Sequence, residues 1–196
     1  MKRATILSLL VSVSLLAASA VQAAIIQFTV DLSGDNENPP IVSPGNGSAL
    51  IDIDTIARTM TLDVTFADLL GTTTAAHIHC CAAPPTNAMV ATQVPSFAGF
   101  PLDVSSGSYL NTFDMTLASS YNPAFITMHG GTVDSAFADL LAAMLAGETY
   151  LNIHTTRFPG GEIRGTLMRV PEPASLALLG IALAGLGALR RRTVAT

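Results

Sequence analysis

Basic side chains are scarce in this chain of 196 residues, and lysine is all but missing: the one that occurs is Lys2. Between Ala24 and Val170 only Arg58, Arg157, Arg164 and Arg169 are basic, against thirteen Asp and Glu. That is a net charge near −9, which the whole-chain value of −5 conceals. Nucleic acids and anionic lipid surfaces are bound by basic groups that displace counterions, so the deficit argues against both as partners of this region. Cysteine is almost as rare, with two residues, and there are four histidines. Hydrolase motifs are missing too: there is no G-x-S-x-G elbow, no phosphate-cradling glycine loop and no zinc-protease helix. No solenoid-type repeat is visible. What is left is an acidic, non-catalytic globular region.

The long hydrophobic runs sit at the two ends. Lys2 and Arg3 precede an apolar run from about Ile6 to Ala18, and Val21-Gln22-Ala23 supplies small residues for signal peptidase. Residues 1–23 therefore read as a secretory signal peptide. At the other end Pro171-Glu172-Pro173 precedes an uncharged stretch from Ala174 to Leu189, closed by Arg190, Arg191 and Arg192. As a helix at about 1.5 Å per residue that stretch reaches about 24 Å, close to a transmembrane span. The arginines hold that end in the cytoplasm and leave the rest outside, as the signal peptide also requires. This tail resembles a PEP-CTERM sorting signal. The resemblance implies recognition by an exosortase-type membrane enzyme, removal of the tail, and delivery across the inner membrane to the cell envelope, surface or extracellular matrix. An ordinary single-pass anchor is the alternative.

Between the two signals, residues 24–169 have the length of one domain with a real core. The patterning is mostly of period two. Strands are expected at 25–32, 48–54, 59–66, 75–80 and 108–117, with a further short one at 89–94. Residues 33–47 are crowded with turn formers and read as a long loop. One helix is expected near 134–146, capped by Asp134 and ended by Gly147. The fold class is therefore all-β, an antiparallel Greek-key-like sandwich or barrel with one short helix, plus the C-terminal transmembrane helix. The last hairpin, YLNIHTTRFPGGEIRGTLMRV (150–170), turns at Phe158-Pro159-Gly160-Gly161. Alternation sets Leu151, Ile153, Ile163 and Leu167 toward the core. On the other face it forms a polar cluster in which Asn152 and His154 can meet Glu162 and Arg164.

Three stretches, LSGDNENPP (32–40), AHIHC (76–80) and YLNIHTTRFPGGEIRGTL (150–167), together resemble a CHRD domain, the module named after chordin and also found in secreted bacterial proteins. Asn38 departs from the apolar residue expected before the prolines. The resemblance implies a β-rich, secreted, non-catalytic domain with a structural or binding role at the surface, extracellular polysaccharide being one candidate partner.

AAHIHCCAAPP, residues 75–85, holds the richest chemistry. His77 and His79 share one side of a strand, a spacing that can chelate one copper or zinc ion, with His154 as a third ligand. The competing reading is a structural polar network with no cofactor, the histidines bonded to Glu162, Asn152 or backbone. Cys80 and Cys81 can close a vicinal disulfide through a strained eight-membered ring, stay as thiols, or bridge two chains. Asp52 and Asp54 alternate on a strand and could touch calcium, or remain solvated. The rival to a structural role is thus an extracytoplasmic metal-binding or redox protein.

Overall fold

The computed structural model describes residues 25–171. Among them nine strands form one antiparallel sheet, curled into a half-barrel. In chain order these are β1 (Ile25–Ser33), β2 (Asn46–Asp54), β3 (Thr59–Ala67), β4 (Thr73–Cys80), β5 (Met89–Val90), β6 (Gly107–Asp114), β7 (Thr149–Thr155), β8 (Ile163–Thr166) and β9 (Met168–Arg169). In space the order is β5-β4-β7-β8-β1-β2-β3-β6, and β9 pairs with β1. The signal peptide, Glu172 and Pro173, the expected membrane helix and the terminal arginines lie outside the described residues. Among the described residues no helix is long and apolar enough to cross a membrane.

The period-two pattern explains the sheet. In β2 and β3 every second residue is apolar, so Ala49, Ile51 and Ile53 face the core beside Met60, Leu62, Val64 and Phe66. The hairpin joining them runs in unbroken register from Asp54↔Thr59 to Asn46↔Ala67. Its turn is fixed by the Asp54 carboxylate, which accepts from the N–H groups of Ile56 and Ala57 at 2.8 and 2.7 Å. The inner face of the sheet, with Phe28, Ile78, Leu151, Ile153 and Ile163 fully buried, forms a single apolar core.

Two helices add to that core. α1 (Pro123–Met128) starts on Asn122, whose side chain accepts from Ala124 N–H at 3.0 Å, with proline in the first turn where no N–H is needed. α2 (Val133–Ala146) buries Ala136, Leu140, Ala143 and Met144 and ends on Gly147 at φ 72°, a left-handed position that suits glycine. Its cap is Thr132, in a reciprocal box with Ser135, and not the expected Asp134. Asp134 instead sits inside the first turn and pairs with Arg58 at 2.6 Å. The strand expected at 89–94 shrinks to two residues: Ala91 N–H still donates to Ile78 O of β4, but Thr92 pairs with Tyr121, ahead of α1.

Both faces of β4 and β7 are covered. All seven residues of β7 are buried, as are the last five of β4. The second, non-core face of these strands is therefore an interior as well, and it is polar.

Candidate metal centre

The antiparallel register of β4 with β7 places His79 opposite Tyr150, His77 opposite Asn152 and Ala75 opposite His154. β8 continues the rows, with Arg164 opposite Asn152 and Thr166 opposite Tyr150. Alternation keeps the core-directed partners Ala76, Ile78, Leu151 and Ile153 on the opposite face. His77, His79 and His154 thus meet on one patch spanning two strands, and one ring nitrogen from each lies within 4.8 Å of the others. The rings of His77 and His154 stand edge to face at 5.1 Å.

Each histidine uses its other nitrogen to hold a loop. His77 Nε2–H donates to Pro95 O at 2.6 Å, His79 Nδ1–H to Ala88 O at 2.9 Å, and His154 Nδ1–H to Pro159 O at 2.9 Å. A carbonyl can only accept, so each bond fixes the tautomer and leaves His77 Nδ1, His79 Nε2 and His154 Nε2 as bare lone pairs. Those three atoms are buried and have no hydrogen-bond partner. Buried polar atoms without partners are unusual and costly, and here three of them converge. Burial holds His77 and His79 down to about 4 against the bonds from Pro95 and Ala88, which pull the other way, and burial lowers His154 as well. All three are neutral imidazoles at neutral pH, the form in which histidine ligates a metal.

A second layer orients the first. Tyr150 stacks on His79 at 4.7 Å between ring centres, and the Arg164 guanidinium lies over the Tyr150 ring, 4.6 Å from its centre. The Tyr150 hydroxyl accepts from Ala88 N–H at 3.0 Å, the same residue whose carbonyl holds His79. Arg164 reaches both covering loops, donating from Nε to Asn36 O, from Nη1 to Asn87 Oδ1 at 2.6 Å and from Nη2 to Pro85 O at 2.8 Å. Asn87 in turn donates to Asn38 O at 2.9 Å. Glu37, buried and 3.8 Å from Arg164, is pushed up to about 7 by burial, against the pull of the guanidinium.

The polar cluster read from the hairpin divides. Asn152 and Arg164 stand side by side on the histidine face. Glu162 does not join them; it precedes β8, behind the glycine turn, where strand alternation no longer sets its direction. Its carboxylate accepts from Ser43 Oγ, Leu70 N–H, Gly71 N–H and Thr155 Oγ1 at 2.6–3.1 Å. The histidines bond to backbone, and neither to Glu162 nor to Asn152. Cys80 and Cys81 are bonded to each other, immediately after His79, with Cys80 facing the core. His129 lies apart, donating to Asp139 at the end of α1. Asp52 accepts from Gln27 at 2.9 Å, and the Asp54 carboxylate is taken up by its own turn.

Sequence reasoning found the three histidines but missed their supports. Tyr150 was legible as the next residue on the face of Asn152 and His154. The carbonyls of Pro95, Ala88 and Pro159 carry no side-chain signature. A cleft of about 520 Å³ is lined by Asp31, Asp35, Glu37, Pro84, Tyr150 and Arg164 among others, and none of the histidines lines it.

Fold and site define a secreted-type antiparallel half-barrel with a buried polar layer of three imidazoles. The family model of the CHRD domain matches residues 28–167, most of the chain, and the protein belongs to the CHRD-domain family. The PEP-CTERM protein-sorting motif matches residues 169–192. The chain is thus an extracytoplasmic protein, exported across the inner membrane to the cell envelope or surface and sorted by an exosortase. No curated protein and no solved structure matches it.

Proposed function

We propose that this CHRD domain is a metal-binding module of the cell surface, holding one copper or zinc ion on His77, His79 and His154. The observation that carries the reading is the convergence of three buried, unpartnered ring nitrogens, each on a histidine whose other nitrogen is tied to a carbonyl. Ligating histidines are oriented in this way by outer-shell acceptors, which fix the tautomer and raise ligand basicity. Nitrogen donors suit both zinc and copper. Bonds of about 2.0–2.1 Å to one ion draw the three nitrogens closer together than the 4.8 Å within which they now lie.

The role proposed for the ion is binding, not turnover, because the free nitrogens are buried and none of the histidines lines the cleft at Tyr150 and Arg164. Such a module fits a protein delivered to the surface, where a held ion stabilises the domain or is sequestered from the medium. The test is metal analysis of exported protein purified without an affinity tag. One equivalent of copper or zinc is expected. At an ion concentration 100 times Kd the folded state gains about 2.7 kcal/mol, read as a raised Tm. His77→Ala should abolish both the stoichiometry and the shift. A wild-type protein that takes up neither ion when titrated would return the site to a purely structural polar network.

A further inference from the structure

The three histidines leave a fourth position on the ion, and among the described residues no Cys, Asp or Glu joins their group. Another unpartnered atom lies on the same face. Asn152 is 2% exposed, and its Oδ1 is buried with no hydrogen-bond partner. Its position is central: it pairs directly with His77, precedes His154 by two on the same face, and lies diagonal to His79. Directly opposed side chains in an antiparallel pair have Cβ atoms about 4.5–5.5 Å apart, and diagonal ones about 7–8 Å. The Asn152 side chain starts from the centre of the histidine patch, and its amide packs against Gly161 beside Glu37.

None of the donors that surround Asn152 bonds its Oδ1. Arg164, its neighbour on β8, spends each nitrogen on Asn36, Asn87 or Pro85. The N–H groups of the three histidines go to Pro95, Ala88 and Pro159. Tyr150 shares its hydroxyl with Ala88. Glu37 Oε1, which packs with the Asn152 amide against Gly161, makes no hydrogen bond either. The amide nitrogen of Asn152 has one long contact, 3.4 Å to Gly160 O. Gly161 makes the room: at φ +129° it occupies a region that favours glycine, and a Cβ there would run into both the amide and Glu37.

We infer that Asn152 Oδ1 is the fourth ligand, completing an N3O site with His77 Nδ1, His79 Nε2 and His154 Nε2. The inference rests on the metal-binding reading above and adds the residue that closes the coordination shell. Amide oxygen is a neutral donor, so the completed site keeps the full charge of the ion within the polar layer.

The exported, untagged protein is loaded with Cu(II) for EPR and with Co(II) for visible absorption, beside Asn152→Leu and Asn152→Asp. Wild type should give three-nitrogen hyperfine structure and the intense visible bands of four-coordinate Co(II). Asn152→Leu, similar in volume but without a donor, should shift the Cu(II) spectrum and weaken binding at least tenfold. Asn152→Asp, which keeps an oxygen at the same point, should bind at least as tightly as wild type. Wild-type spectra and affinity in the leucine variant, at equal Tm, would overturn the inference and leave the three-histidine site standing. Should the leucine variant misfold, Asn152→Asp decides: binding weaker than wild type overturns it. No uptake of either ion by wild type would remove both readings together.

Discussion

The two halves of the sheet follow the same alternation and come to different ends. In β2 and β3 the second face is open to water, and Ser48, Thr61 and Thr65 lie on it among exposed carboxylates. In β4 and β7 the second face carries residues just as polar, yet loops from three parts of the chain close over it. A polar face in water needs no partner from the protein, whereas a buried one needs a hydrogen bond for every donor and acceptor. The open half therefore shows pairs of hydroxyls and solvated acids. The closed half shows a network in which Arg164, Tyr150 and the histidine N–H groups are all engaged, and in which the atoms left bare gather at one point. What distinguishes a site from a surface here is what covers it.

Glu162 joins the halves, and its loss should be the largest effect. Its carboxylate collects donors from the segment before β2, from the β3–β4 connection and from the end of β7. Burial pushes its pKa up, but those hydrogen bonds outweigh burial and hold the group below the ordinary carboxylate range. Glu162→Ala strands several buried donors, each costing about 1–3 kcal/mol, so a loss on the order of 4 kcal/mol is expected in urea denaturation. The sign of the pH dependence follows from a folded pKa below the unfolded one. The carboxylate stabilises fully above about pH 4.3 and loses that contribution as pH falls through and below it. Wild type should weaken with acid over that range more steeply than the variant; equal slopes would remove Glu162 from this role.

This also shows what could be read in advance. The strands β1, β2 and β3 were legible because their apolar residues recur every second position between clear turns. So was α2, apart from its cap, where Thr132 with Ser135 outcompetes Asp134. The alternation that placed His77, His79 and His154 on one face was equally plain, since it depends on neighbours within single strands. The burial of that face was not. It depends on residues 81–96, with Pro84, Pro85 and Pro95, folding back over β4 and offering carbonyls, which every residue has and no sequence pattern marks. Glu162 was misplaced for a related reason: alternation holds inside a strand, and the glycine turn ends just before it.

The bare nitrogens of the closed half give the next effect, and its sign is opposite. An unpartnered buried nitrogen costs the metal-free protein its desolvation, about 1–3 kcal/mol. His154→Leu removes that nitrogen, and Pro159, whose carbonyl it releases, is exposed to water. The metal-free variant should therefore be more stable than wild type by about 1 kcal/mol in urea, while binding no ion. A less stable metal-free variant would mean that the imidazole supports the fold as it stands, and that the bare nitrogens are not held in reserve for a cation.

The smallest effect sets the halves against each other with one chemical change. Tyr150→Phe and Thr61→Val each take a single hydroxyl from the non-core face. Thr61 shares its hydroxyl with Thr112 at 2.8 Å in the open half, where water replaces the partner at once. That substitution should stay within about 0.5 kcal/mol of wild type. Tyr150 holds Ala88 N–H in the closed half, beside the carbonyl that fixes His79. Its loss leaves a half-buried donor that water answers in part, for about 0.5–1 kcal/mol. It also frees Ala88 to shift, so metal affinity should fall while the variant of the open face keeps wild-type affinity. Equal costs in the two variants would mean that cover makes no difference to a hydroxyl on this sheet, and the contrast between its halves would rest on the histidines alone.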